Sequence, residues 1–83
     1  MEKSIHTPEY TVMLRLLRQE RERAGVTQVE LAARLRQTQS FVSKIELGDN
    51  RLDLIQLRTI LGLIGVRLTD FVEQFEREVE RHR

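Results

Sequence analysis

Four residues with short side-chain oxygens, Thr7, Thr27, Thr38 and Asp53, each stand just before a stretch whose apolar residues recur three and four positions apart. Gly25, Gly48 and Gly65 close three of those stretches. A side-chain oxygen at such a point accepts from the free backbone N–H groups of a helix start, and glycine supplies the left-handed turn that ends one. The punctuation recurs too often for a strand to fit between. In "TPEY", Thr7 caps, Pro8 suits the first helical position and Glu9 favours the positive helix end. Tyr10, Met13, Leu14 and Leu17 then form one face. Thr27 and Glu30 make a capping-box pattern, with Val29, Leu31, Ala32 and Leu35 turned to a core. After the two-residue break "RQ", Thr38 opens a third helix that Gly48 stops, and "GDNRLD" reads as a loop. Asp53 caps "LIQLRTILGLIG", whose stripe of Leu54, Leu57, Ile60, Leu61 and Ile64 predicts the most buried helix. A last helix begins at about Leu68 or Thr69 and runs to the C-terminus. The expected fold is all-α, a compact bundle of five helices.

A chain of 83 residues bounds this to one domain, residues 1–83, with 68–83 as a terminal helix. It contains no cysteine, which removes disulfides and thiolate metal sites. No apolar run approaches the roughly 20 residues that span a bilayer, and "MEKSIHTPEY" lacks the apolar stretch of a signal peptide. The expectation is a soluble, cytoplasmic protein without a membrane partner. Net charge is only +1, but its distribution is uneven. From Arg15 to Arg51, eight basic side chains face five acidic ones; from Leu68 onward, three basic face five acidic. A basic middle and an acidic tail suggest a binding face set apart from another surface.

The third helix, "TQSFVSKIELG", raises the functional question. At about 100° per residue, Phe41, Val42 and Ile45 share one side. Gln39, Ser40, Ser43 and Lys44 occupy the other, where a solvent-facing helix normally carries Glu, Lys and Arg. Such a face suits double-stranded DNA. Glutamine pairs with adenine through N6 and N7, serine reads base edges or phosphates, and lysine reaches guanine or a phosphate oxygen. None of the four is a carboxylate, which phosphate would repel.

Taken in order, "LLRQERERAGVTQVELAARLRQTQSFVSKIELG" resembles the Cro/C1-type, or XRE-type, helix-turn-helix regulators. The likeness continues through "LDLIQLRTILGLIGV" to Phe71 and covers about residues 10–75. It implies a lambda-repressor-like fold, with 28–35 as the first helix of the motif and 39–46 as the recognition helix. It also implies base contacts from Gln39, Ser40, Ser43 and Lys44, and phosphate contacts from Gln28, Thr38, Asn50 and Arg51. Gln28 matches a position that also braces the first recognition-helix residue. Ala32 matches a position kept small where two helices cross, and Arg21 and Glu46 match an ion pair that orients the reading helix. Removing one partner of that pair should cost more than replacing both. Many relatives have glycine at the position of Arg36 and an apolar residue at that of Gln37. Arg36 either takes a positive φ, at roughly 1–2 kcal/mol, or the turn is remodelled, or its charge serves a phosphate.

The tail "TDFVEQFEREVERHR" puts Phe71, Val72, Phe75 and Val79 on one stripe. This reads as a homodimer seam, against the plainer reading of packing on the first helix. A two-fold dimer would meet an imperfect palindrome with half-sites about 34 Å apart. His6 and His82 have no second ligand at metal spacing, and Ser40 and Ser43 have no activating base, so neither a cofactor nor catalysis is expected. The expected activity is sequence-specific DNA binding by a small regulator, in the sense of a repressor. The alternative is an antitoxin-like module that neutralises a protein partner through its terminal helix. At this length no separate sensor domain is expected, which leaves control to concentration, a partner or a small effector.

Overall fold

The computed structural model describes residues 7–82, so His6 lies outside the described residues. Five helices follow one another: α1 (Pro8–Arg23), α2 (Gln28–Leu35), α3 (Gln39–Leu47), α4 (Leu54–Leu63) and α5 (Leu68–Arg81). The side-chain oxygens of Thr7, Thr27, Thr38 and Asp53 accept the backbone N–H groups of Tyr10, Glu30, Phe41 and Gln56. Glu30 and Gln56 reach back to Thr27 and Asp53, completing two capping boxes. The N–H donated by Thr27 is also the main reason that the Glu30 carboxyl titrates below its usual range. Arg67, ahead of α5, makes no side-chain cap bond.

Four helix ends close in one way. A left-handed residue follows the helix, and the next N–H returns to a carbonyl five residues back. The pairs are Val26 to Arg21, Gln37 to Ala32, Asp49 to Lys44 and Val66 to Leu61, at 3.1, 2.9, 2.8 and 2.9 Å. The left-handed residue is glycine at 25, 48 and 65, with φ between 74° and 87°, but arginine at 36, with φ 58° and ψ 41°. The turn between α2 and α3 is therefore the ordinary one, with an L side chain held where glycine sits without strain.

The core collects Leu16 and Leu17 of α1, Leu31 and Ala32 of α2, and Val42 and Ile45 of α3. Leu57, Ile60 and Leu61 of α4 and Phe71 of α5 complete it, with Val26 and Ile64 from the connections. α5 runs antiparallel to α1. Pro8 and Val12 line a cleft with Val79 and His82 at one end, and Glu20 and Arg23 line another with Phe71 and Gln74 at the other. This corrects three expectations. Val29 is 63% exposed and Leu54 61%, because each sits in the first turn of its helix, at the rim of the bundle. The tail stripe is used largely within the chain: Phe71 is only 2% exposed, and Phe75 packs half-buried against the same core. Phe71 is therefore not available to the seam the sequence suggested, since α5 packs on α1 and α4 and turns this ring into the core. Val72, at 40%, faces outward.

A polar pin joins the outer helices, Arg15 donating to Glu78 at 3.3 Å. That bond, aided by the charges of Arg81, Arg15 and His82, holds the Glu78 carboxyl below the usual carboxylate range. A depressed pKa means stability that is present above the unfolded-state value and is lost as pH falls through the folded-state value. Thermal unfolding of Glu78→Gln should accordingly lie below wild type at neutral pH. The gap should close as pH falls through and below the ordinary carboxylate range, while the wild-type carboxyl takes up its proton.

Candidate nucleic-acid interface

α3 is anchored by Val42 and Ile45, 1% and 3% exposed, with Phe41 half-buried beside them. That leaves Gln39, Ser40 and Lys44 exposed on the far side; Ser43 is half-buried. The inner three fix the helix, so the exposed Gln39, Ser40 and Lys44 are free of packing duty.

Beneath that face lies a buried ion pair. Arg21 donates from Nε and Nη2 to the two oxygens of Glu46, at 2.6 and 3.1 Å, and from Nη1 to the Val26 carbonyl at 2.8 Å. The two side chains are 9% and 7% exposed. The bidentate bond with Glu46 raises the affinity of the guanidinium for its proton, against the opposing pull of burial. Burial weakens the case for a net gain in fold stability, since desolvation offsets much of the attraction. What the fork does secure is geometry, because two parallel bonds fix the end of α3 on α1 and on the α1–α2 turn.

The pair does not stop there. Gln28, in the first turn of α2, donates its Nε2 to Glu46 at 2.9 Å, and Gln39 donates its Nε2 to the Gln28 carbonyl oxygen at 2.9 Å. Gln39 and Glu46 are seven residues apart on α3, hence on nearly the same side of it, two turns apart. Gln28 spans the gap. A continuous chain thus runs from a buried arginine to an exposed amide, and among the described residues no buried side-chain nitrogen or oxygen lacks a partner.

The loop after α3 is also held. Asp49 and Asn50 both donate backbone N–H groups to the Lys44 carbonyl, at 2.8 and 3.2 Å. Leu52 N–H donates to the Tyr10 hydroxyl at 2.8 Å, and the Arg51 guanidinium lies 5.2 Å above the Tyr10 ring. Asn50 and Arg51 therefore sit on a positioned loop. Thr38, exposed, spends its oxygen on the α3 cap.

The structure places Arg21, Gln28, Gln39 and Glu46 in one network, with Ser40, Ser43 and Lys44 on the same helix and Asn50 and Arg51 just beyond it. Helical spacing could not show that Gln28 meets Glu46, since the contact joins two helices. It also casts Tyr10 as a core residue, whereas its hydroxyl organises the loop. Arg34, whose guanidinium donates to the Leu63 carbonyl at 2.7 Å and so helps to end α4, carries no signal in its own neighbourhood. Among the described residues no three His, Cys, Asp or Glu side chains gather as metal ligands, and no helix is long and apolar enough to cross a membrane.

A helix-turn-helix family model matches residues 17–71, which includes α2, the turn, α3 and α4. An XRE-family like protein from Pseudomonas syringae pv. tomato str. DC3000 has the same fold, with a TM-score of 0.82 and 41% sequence identity over 90% of this chain and 92% of that one. The chain belongs to the XRE-type helix-turn-helix family. With membership comes the coarse function, DNA-binding regulation on a lambda-repressor-like fold. No curated protein matches the chain. In the terms of the family, α2 and α3 are the two helices of the motif.

Arg36 is where this XRE-type chain departs from a glycine turn. Arg36→Gly should raise stability by about 1 kcal/mol, the relief of left-handed strain less the added freedom of the unfolded chain. Chemical denaturation checks this, with the slope of the unfolding transition unchanged.

Proposed function

We propose that the chain is a sequence-specific repressor that binds double-stranded DNA as a homodimer on an imperfect palindrome, with α3 in the major groove. The observation that carries this is the Gln39–Gln28 amide pair at the start of α3. It is a reading group held in one pose, beside exposed Ser40 and Lys44. The one carboxylate on that side, Glu46, is buried and neutralised by Arg21, so it offers phosphate little repulsion. Gln39, Ser40, Ser43 and Lys44 serve the bases. Gln28, Thr38, Asn50 and Arg51 serve the backbone, where charge neutralisation makes affinity fall steeply with salt. Repression asks only that the operator be occupied.

One α3 offers too few base contacts for a long site, and a two-fold partner supplies the second set. Val72 is the most exposed of the tail residues first considered for that seam, yet Leu54 and Ile55 at the start of α4 stand out more, at 61% and 69%. Along the chain they follow the loop at the end of α3, with exposed Asp49 and Asp53 before them and exposed Arg58 after. A self-complementary contact is favoured by both charges near an apolar centre.

Selection from a random duplex library tests the reading: an enriched palindrome is expected for the wild type, and none even at low salt would end the proposal. Gln39→Ala should lose about 1–3 kcal/mol of discrimination at one position of each half-site, whereas Arg51→Ala should weaken all sequences alike. For the seam, sedimentation should show Ile55→Asp monomeric where wild type and Val72→Asp are dimeric. The opposite result would move the seam to α5.

A further inference from the structure

The chain of hydrogen bonds from Arg21 to Gln39 has a direction, and the direction is set at its buried end. A carboxylate accepts and cannot donate. Glu46 therefore requires Gln28 to turn its NH2 inward, as it does at 2.9 Å, which leaves the Gln28 carbonyl oxygen toward α3. That oxygen also only accepts, so Gln39 must give it an N–H, again at 2.9 Å. What Gln39 retains for a ligand is its own carbonyl oxygen and one remaining N–H. The amide is not free to turn over, because the reversed pose would set two carbonyl oxygens against each other.

We infer that Glu46, through Gln28, dictates which base Gln39 accepts. Glu46 is a positioning residue that need touch no DNA, and the assignment rests on the DNA-reading function proposed above. An outward acceptor beside an outward donor matches the N6 amino group and N7 of adenine. Cytosine offers only the N4 donor. Guanine offers N7 and O6, both acceptors, so the Gln39 oxygen would face another oxygen; thymine O4 gives the same conflict. The order of preference is adenine first, cytosine second, guanine and thymine last.

The same reasoning predicts that the preference relaxes when the carboxylate is lost. Both oxygens of Glu46 accept from Arg21, so the amide of Glu46→Gln meets one Arg21 N–H with its own NH2 in either pose and no longer compels Gln28 to donate inward. Gln28 is then free to accept from it and donate onward, which lets Gln39 turn its oxygen inward and its NH2 out. That face suits guanine or thymine. A role confined to holding the fold would weaken binding to all sequences and leave the preferred base unchanged.

The test is library selection with wild type, Glu46→Gln and Gln28→Ala, each first checked for helicity, with Glu22→Gln as the control for a carboxylate lost elsewhere on the surface. The base facing Gln39 is the one whose preference Gln39→Ala abolishes. Wild type and Glu22→Gln should select adenine there. Glu46→Gln should lose at least about fivefold of that preference, the equivalent of the low end for one bidentate contact, and shift toward guanine or thymine, other positions keeping their bases. Gln28→Ala removes one hydrogen bond to Glu46 but leaves the Arg21–Glu46 fork itself in place, and should lose the rejection of guanine by a similar factor; it serves alone if Glu46→Gln does not fold. Adenine retained at wild-type strength in a folded Glu46→Gln or in Gln28→Ala overturns the inference while leaving the DNA-reading function intact. Absence of any enriched sequence for the wild type removes both.

Discussion

The ion pair between Arg21 and Glu46 joins α1, the turn after it and α3, and the side chains of Gln28 and Gln39 are oriented from it. Arg21 uses three guanidinium nitrogens, two on the carboxylate and one on the Val26 carbonyl. A lysine could supply the charge but not the planar fork, and the end of α3 would then be free to rotate about a single contact. Because the pair is nearly dry, its partners cannot be exchanged for water without leaving a bare charge, so the arrangement is all or none. The apolar anchors Val42 and Ile45 hold α3 against the core. The ion pair decides how it lies there.

Much of this was legible in the chain itself. The four capping residues and the three glycine stops bound α1 to α4 because each acts on backbone groups within one turn of itself. The polar outer face of α3 was equally plain, since the wheel depends only on helical geometry. What escaped was everything that depends on how far one helix reaches past another. Val29 and Leu54 fall on apolar stripes, yet both sit in first turns where the bundle ends. Phe71 and Phe75 lie on a stripe that suits either a second copy or the first helix, and no periodicity tells the two apart. Tyr10 was recognised as facing inward, but not as the acceptor for a backbone N–H 42 residues away.

Arg36 illustrates the middle case. The sequence named the position and its alternatives, and the backbone answers with φ 58° in a turn otherwise built like its three glycine counterparts. The Gln37 N–H to Ala32 carbonyl bond is what the strained residue makes accessible, and it sets the spacing between α2 and α3. An exposed, positively charged side chain is thereby presented at the junction of the two motif helices.

The amide chain also divides the outer face of α3 into two kinds of position as the protein diverges. Ser40 and Lys44 are exposed and, among the described residues, have no side-chain hydrogen bond, so each could be exchanged alone. Gln39 is constrained further, because the side-chain oxygen of Gln28 calls for a donor at that point. A replacement that offers none would leave that oxygen unpaired unless Gln28 changed with it. On the proposed readout, drift in operator sequence should be gradual at bases met by Ser40 and Lys44 and less so at the base met by Gln39.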